Sequence, residues 1–447
     1  MAKPGKTTYV CSACGAASLK WQGQCPECDA WNTLEERAPA PTGQRLAPVR
    51  PVDLAELSAE AESRFATGFS ELDRVLGGGV MPGAVILLGG DPGVGKSTLL
   101  QQAAAALARD LTVCYATGEE SRRQVGQRAQ RLGLADSRLC LLADTDLDNV
   151  LEQAAAAKAA VVVVDSIQTM ATRDLPSAPG SVAQLRECVG RVVQFAKSRE
   201  VAFFLIGHVT KEGAIAGPRV VEHMVDTVLY FENDPGSRYS VIRAVKNRFG
   251  AASEMGVFAM TAAGFREVKN PSAIFLSGTE EGAPGSVVSV AWEGSRPLLV
   301  EIQSLVVEAA GGHPRRLAQG FDTNRLALLV AVLQRHGGLS LAGQDVFVNV
   351  VGGLRIGETA ADLPALLAAV SSFRDRPCRG RLVSFGEVGL TGEVRPVRFG
   401  AERIAEAARQ GFRHAVVPRA NVPKPGPEGI EVTGIGSLSE ALAAAFD

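Results

Sequence analysis

The 447-residue chain is poor in aromatic residues, 5% of the total, and has no run of about 18 apolar residues that would cross a bilayer. Its first residues, MAKPGKTTYVCSACG, lack the apolar stretch of a secretory signal, so a cytoplasmic location is expected. It also lacks an excess of charge of either sign: 46 Lys and Arg stand against 48 Asp and Glu, a formal net charge of −2. That balance excludes a globally basic, histone-like binder and leaves any nucleic-acid contact to local patches. Small residues are plentiful instead. The 48 glycines and abundant alanine suit helices packed closely over a parallel sheet. In a reducing compartment the eight cysteines point to metal ligation or core packing rather than to disulfides. The length suggests two to four domains at roughly 100–200 residues each.

Four of the cysteines fall in the first 28 residues, as Cys11-x2-Cys14-x10-Cys25-x2-Cys28. Each Cys-x2-Cys pair can turn two sulfurs inward, and two such knuckles supply a closed tetrahedral shell for Zn²⁺. A module this short cannot build an adequate apolar core, so the metal would supply its folding free energy. A thioredoxin-type redox site would use one pair on an α/β fold. Lys20, Trp21 and Trp31 either form a recognition surface or cover the knuckle. A Pro-rich stretch, APAPTGQRLAPVRPV, follows as a linker.

From about residue 63, short apolar runs alternate with helical segments. AVILLG, LTVCYA, VVVVD and VAFFLIG read as strands buried on both faces, the mark of an α/β domain with a mostly parallel sheet. DTVLYF and YSVIRAV read as a hairpin at the sheet edge. The first of these strands runs into Gly90-Asp91-Pro92-Gly93-Val94-Gly95-Lys96-Ser97-Thr98, a G-x4-G-K-[ST] phosphate loop between a strand and a helix. Its backbone N–H groups would cradle phosphates at the helix N-terminus, Lys96 would reach the β- and γ-phosphates of ATP, and Ser97 would ligate Mg²⁺. Asp165 ends the strand VVVVD, where sites on parallel sheets lie, and would share the Mg²⁺. Glu119 and Glu120 follow another strand; one of them, with Glu119 preferred, is the candidate base for the attacking water. The alternative is that both serve only the first turn of a helix, which its dipole favours in any case.

The four-cysteine knuckle, the phosphate loop and then Lys246-Asn247-Arg248-Phe249-Gly250, in this order, resemble the bacterial RadA (Sms) family of DNA-repair ATPases, with a core similar to RecA. The strings ATGEES, VVVVDSIQT, SAPGSVAQLRE, GHVTKEGAIAGPRVVEHMVD and VVGGLRIGETAADLP carry the same resemblance over nearly the whole chain. It implies a DNA-dependent ATPase, a hexameric ring on single-stranded DNA that promotes branch migration of recombination intermediates with RecA. Lys246 and Arg248 would be the family's KNRFG cations, reaching a neighbouring subunit's nucleotide or DNA; spacing alone favours a solvated pair at a strand end. The segments 173–186 and 208–219 would face DNA, with Arg186, Lys211 and Arg219 available for phosphates. They hold no aromatics, so base stacking there is not expected. Gln168 and His208 follow strand ends near the expected γ-phosphate and would sense it, although a lone histidine at a strand end is more often a structural hydrogen-bonder.

Residues 286–447 resemble the proteolytic domain of Lon, whose chemistry needs a serine nucleophile and a lysine. The matching positions hold Ala360 and Ala401, so the fold is expected without the peptidase. Arg315, Arg316, Arg355, Arg374, Arg376, Arg379 and Arg381 suggest either a DNA path or scattered solvated charges. The domains read as a zinc-binding module at 1–35, a linker at 36–62, a RecA-like ATPase domain at 63–270, a linker at 271–285 and an α+β Lon-like domain at 286–447. The competing function is a nucleotide-switched signalling ATPase of the KaiC type, from which the knuckle and KNRFG argue away.

Overall fold

The computed structural model describes residues 8–11, 17–18, 20–27, 29–37, 63–208, 220–233, 239–272, 276, 282–311 and 313–447. Cys14, Cys28, Lys211 and Arg219, and most of the first linker, lie outside these residues. Two compact units divide at Val268 and Lys269, close to the start of the second expected linker. Among the described residues no helix is long and apolar enough to cross a membrane.

At the N-terminus three short strands, β1 (Thr8–Cys11), β2 (Ala17–Ser18) and β3 (Leu34–Arg37), form an antiparallel sheet in the order β2-β1-β3. Cys11 and Cys25, one from each knuckle, are fully buried in one cluster with Leu34. A core of three buried side chains is far too small to hold a fold by itself, so two thiols brought together from separate pairs fit the role of metal ligands. Trp21 and Trp31 are 58% and 70% exposed. The Trp31 ring packs beside Gly23 in the loop that carries Cys25.

The larger part of the first unit is a nine-stranded sheet. Its strands are β4 (Val85–Gly90), β5 (Val113–Thr117), β6 (Cys140–Ala143), β7 (Val161–Asp165), β8 (Ala202–Ile206), β9 (Thr227–Asn233), β10 (Tyr239–Asn247), β11 (Met255–Thr261) and β12 (Gly264–Glu267), in the order β12-β11-β10-β9-β4-β8-β7-β5-β6. The six from β9 to β6 run parallel, and β10, β11 and β12 add on antiparallel. Alternate residues of each buried strand enter opposite cores. Val161 and Val163 enter the core under α2 (Lys96–Leu107), which further along the sheet also takes in α1 (Ser70–Val75) over β10 and β11, while Val162 and Val164 enter the core shared with α4 (Leu147–Ala156) and α5 (Val182–Arg199). That double burial explains the unbroken apolar runs. Helix α3 (Arg122–Arg131) buries only Val125 and is held at its start by a Ser121–Gln124 capping box.

The expected edge hairpin is not at an edge. Strands β9 and β10 are interior, because Met255, Val257, Phe258 and Phe265 of β11 and β12 are buried and extend the sheet beyond them. Phe265 packs edge-to-face on both Phe231 and Phe258, closing the core over α2.

The second unit holds a seven-stranded sheet of β13 (Ser286–Glu293), β14 (Arg296–Glu308), β15 (Arg316–Gln319), β16 (Gln344–Val350), β17 (Leu382–Ser384), β20 (His414–Pro418) and β21 (Glu431–Ile435). The order is β15-β16-β14-β13-β17-β20-β21, with a separate ribbon of β18 (Glu387–Val388) and β19 (Val394–Arg395). Helices α6 (Thr323–His336), α7 (Asp362–Phe373), α8 (Gly400–Arg409) and α9 (Leu438–Phe446) complete it. Ala360 is buried in the turn before α7, and Ala401 is exposed in the first turn of α8. On either side of Ala360 the acids of the GETAADLP string serve the fold. Glu358 receives both terminal nitrogens of Arg403, at 2.8 and 2.6 Å, and Asp362 is clamped by Arg325. Several of the arginines considered as a DNA path are likewise engaged. Arg315 grips Asp345 through two nitrogens at 3.0 and 2.7 Å, Arg316 donates to the Leu341 carbonyl, Arg376 donates to the Phe446 carbonyl and Arg374 lies over the Phe446 ring.

Arg403 is 1% exposed, sandwiched by Trp292 and Phe385, and its Nε donates to the Arg398 carbonyl. Losing Arg403 empties the space between the two rings and takes the main partner from Glu358, which at 30% exposure keeps water and the Trp292 N–H at 2.7 Å, so the cost stays below the roughly 3–5 kcal/mol of a wholly buried ion pair. Arg403→Ala is therefore expected to lower the urea midpoint of the C-terminal transition sharply, and Arg403→Met to lower it less, in denaturation of the full chain followed by Trp292 fluorescence with Trp21 and Trp31 replaced by Phe.

Candidate nucleotide site

The site forms at the C-terminal ends of four neighbouring strands, where the helix N-termini of a parallel sheet converge. Strand β4 ends at Gly90, and the loop from Asp91 to Gly95 feeds α2. Two glycines make this turn possible. A β-carbon on Gly90 would sit 2.6 Å from the Phe231 carbonyl oxygen, and one on Gly95, at φ 101°, would sit 2.7 Å from the Phe265 ring. Asp91, Pro92 and Gly93 are exposed at the rim; Val94, Gly95, Ser97 and Thr98 are half-buried.

Lys96 opens α2 with its side chain 3% exposed. Its ammonium donates to the carbonyls of Gly90 and Asp91 at 2.7 and 2.8 Å. Burial pulls its pKa down to about 8, against the opposing pull of Asp165, Asp91 and Glu119, whose carboxylates lie near enough to be felt. A buried ammonium at a helix N-terminus, surrounded by acids, suits a group that receives phosphate oxygens.

Asp165 ends β7 at 2% exposure, and the buried phenol of Tyr115 on β5 donates to its Oδ2 at 2.5 Å. Burial, and then Asp165 itself, push the Tyr115 pKa well above 10, so it stays a donor. Ser166, joined to Asp165 by a cis peptide, donates to Glu119 Oε1. His208, at the end of β8, meets the same oxygen at 3.1 Å. The His208 hydrogen bond, with help from Ser166, holds the Glu119 carboxyl below its usual range despite partial burial. Glu120 is turned elsewhere: it pairs with Arg128 of α3 at 2.5 Å, and Arg128 also donates to Gln101 of α2. Gln168 follows β7 and donates to the His208 carbonyl at 3.3 Å. Its Oε1 and His208 Nδ1 are buried without a hydrogen-bond partner among the described residues.

Lys96, Ser97, Asp165, Glu119, Gln168 and His208 thus share one region at the strand ends. Arg186 stands apart, exposed on α5. Lys246 and Arg248 lie at the other end of the sheet. Asn247 pairs with Thr227, which pairs with Ile86, whereas Phe231 pairs with Gly90. Four residues of strand, about 13 Å, therefore separate KNRFG from the phosphate loop of its own chain. There Lys246 donates to the carbonyls of Glu222, His223 and Val225, and Arg248 pairs with the buried Asp226 at 3.3 Å. Desolvation, with Arg248 beside it, lowers the Lys246 pKa. Asp226 also accepts from Lys197 at 2.6 Å and from the Val85 N–H at 3.0 Å, tying KNRFG to the start of β4.

Sequence reasoning passed over Tyr115, Arg128, Ser166 and Asp226. The signal for Tyr115 was a phenol within an apolar strand, since a buried tyrosine hydroxyl nearly always has a partner. The other three are ordinary polar residues whose partners only the fold brings close.

Residues 51–214 match the model of the AAA domain, residues 9–36 that of the Rubredoxin metal binding domain, and residues 328–421 that of Subunit ChlI of Mg-chelatase. These fit the zinc ribbon, RecA-like core and Lon-like C-terminal domain read from the sequence. The solved RadB recombinase is similar over 46% of this chain and all of its own, with 24% identity and a TM-score of 0.38. The DNA repair protein RadA of Escherichia coli is 54% identical over 99% of both chains, that of Haemophilus influenzae 53% over 99% of both, and that of Bacillus subtilis 46% over 98% of both. At such identity over full length, the chain belongs to the RadA family of DNA repair proteins.

Proposed function

We propose that this chain is a DNA-dependent ATP hydrolase, a ring-forming motor on single-stranded DNA that promotes branch migration of recombination intermediates with RecA. The observation that carries the hydrolase is the buried Lys96 ammonium ringed by Asp91, Asp165 and Glu119 at the start of α2. Backbone N–H groups of the loop bind phosphate oxygens, and Lys96 moves its donors from the Gly90 and Asp91 carbonyls to the β- and γ-phosphates. Ser97 and Asp165 hold Mg²⁺, which supplies charge neutralisation on those phosphates. Glu119, ionised and oriented by Ser166 and His208, accepts a proton from the attacking water. Glu120, bound to Arg128, is a framework residue. Gln168 and His208 respond to the γ-phosphate. Lys246 and Arg248 lie too far from their own phosphate loop to serve it, so a ring in which they face a neighbour's site gives them work. Arg186, with Lys211 and Arg219, contacts DNA phosphates, and Cys11, Cys14, Cys25 and Cys28 hold structural Zn²⁺.

Below pH 8 Lys96 carries its charge; above it the free protein loses that proton, and phosphate must restore it. Affinity for a fluorescent ADP analogue, measured without metal, should hold steady from pH 7 to 8 and then weaken by up to roughly tenfold per pH unit. A flat profile to pH 9.5 overturns the role of Lys96. Glu119→Gln should lower kcat for ATP by about 10²–10⁴-fold with nucleotide still bound, and Glu120→Gln should leave kcat within tenfold and lower the melting temperature. The reverse ranking transfers the base to Glu120. The motor is tested by steady-state ATPase with and without single-stranded DNA across a salt series. Stimulation that falls steeply with salt is expected, and Lys246→Ala should lose it while still binding nucleotide. Turnover indifferent to DNA at every salt concentration favours the signalling-switch reading.

A further inference from the structure

We infer that Tyr115 is a positioning residue that fixes the Asp165 carboxylate and thereby sets the Mg²⁺ affinity of the nucleotide site. The inference rests on the reading of Asp165 as a Mg²⁺-holding side chain.

Tyr115 lies in the middle of β5, fully buried among Leu99, Leu100 and Val163 in the core over α2. A phenylalanine would fill that space equally well, so packing does not account for the hydroxyl. Its neighbour across the parallel ladder is Val163, and Asp165 is paired with Thr117, two residues further along. The phenol leans along the strand to reach the carboxylate, and its oxygen donates to Oδ2 at 2.5 Å. On its other side the same oxygen accepts from Arg128 at 3.4 Å. Arg128 is itself held at 2.5 Å by Glu120 and at 2.5 Å by Gln101 of the phosphate-loop helix. The Tyr115 oxygen is therefore fixed between a carboxylate and a guanidinium whose own position is set by α2 and by the loop after β5.

This arrangement has a direct consequence for Asp165. One carboxylate oxygen is occupied by the phenol, and the other, Oδ1, accepts no hydrogen bond among the described residues. The bond at Oδ2 stops the carboxylate from rotating about its last torsion and leaves Oδ1 as the oxygen turned to a cation. Hydrogen bonds that orient a metal-holding carboxylate are typically worth about 10–100-fold in metal affinity.

The test is a Mg²⁺ titration of Tyr115→Phe, read by binding of a fluorescent ADP analogue and separately by ATPase. The variant should melt within a few degrees of the parent and bind ADP equally well in EDTA. The Mg²⁺ concentration that half-completes the Mg²⁺-dependent gain in affinity should rise by roughly tenfold or more. Turnover should be low at submillimolar Mg²⁺ and return toward the parent's kcat at high Mg²⁺. A midpoint within twofold of the parent's, or a kcat that high Mg²⁺ does not restore, overturns the inference. Asp165→Asn is titrated in parallel: an unmoved midpoint there refutes the role of Asp165 itself, whereas a shift in Asp165→Asn without one in Tyr115→Phe refutes only Tyr115. If Tyr115→Phe does not fold, the parent protein labelled with 3-fluorotyrosine supplies the readout, because the chain has four tyrosines. With the Tyr9, Tyr230 and Tyr239 signals removed by substitution, the remaining ¹⁹F resonance should move when Mg²⁺ is added to the ADP complex. A resonance that stays still overturns the inference.

Discussion

The structure turns on one buried ammonium. Lys96 is almost wholly removed from water at the start of α2, and its charge survives near neutral pH because three acids converge on it. Those acids come from different parts of the sheet: Asp91 from the loop after β4, Asp165 from the end of β7, Glu119 from the turn after β5. Keeping the charge requires those strands to end at the same level, and their parallel register places them so. Alternate residues entering two separate cores hold that register, since a slip of one residue would exchange the cores' contents.

The parts of this arrangement that follow from short-range chemistry were legible in the sequence. The phosphate loop announces itself because its glycines, lysine and serine answer to one ligand within nine residues. The buried strands announce themselves by unbroken apolar runs. Strands β11 and β12 were not legible. Their stretch, MGVFAMTAAGFREV, dilutes its alternation with alanine and glycine, and its tight turn through Ala262 and Ala263 is marked by Gly264 alone, at φ 99°. The choice between Glu119 and Glu120 was equally hidden, because adjacent residues differ only in which way the backbone points them. Arg128 on the following helix draws one of them away, and Ser166 with His208 holds the other.

The C-terminal unit shows the opposite relation between recognisable sequence and chemistry. Its most recognisable string, GETAADLP, places Glu358 and Asp362 in ion pairs with Arg403 and Arg325, while the position between them that would carry a nucleophile is the buried Ala360. The residues that make the string recognisable are there to hold a turn against a sheet.

The strand register that separates KNRFG from the phosphate loop bears on the symmetry of any assembly built from this chain. On the ring reading, cations at one end of the sheet meet a nucleotide at the other end of a neighbour's sheet. Such a contact joins two different surfaces, so it repeats head to tail and closes by rotation, with no two-fold axis relating adjacent subunits. Every subunit then points the same way around the circle, and the two faces of the ring are chemically unlike. A strand of DNA, which has its own chemical direction, would meet in that ring a partner with an entrance and an exit.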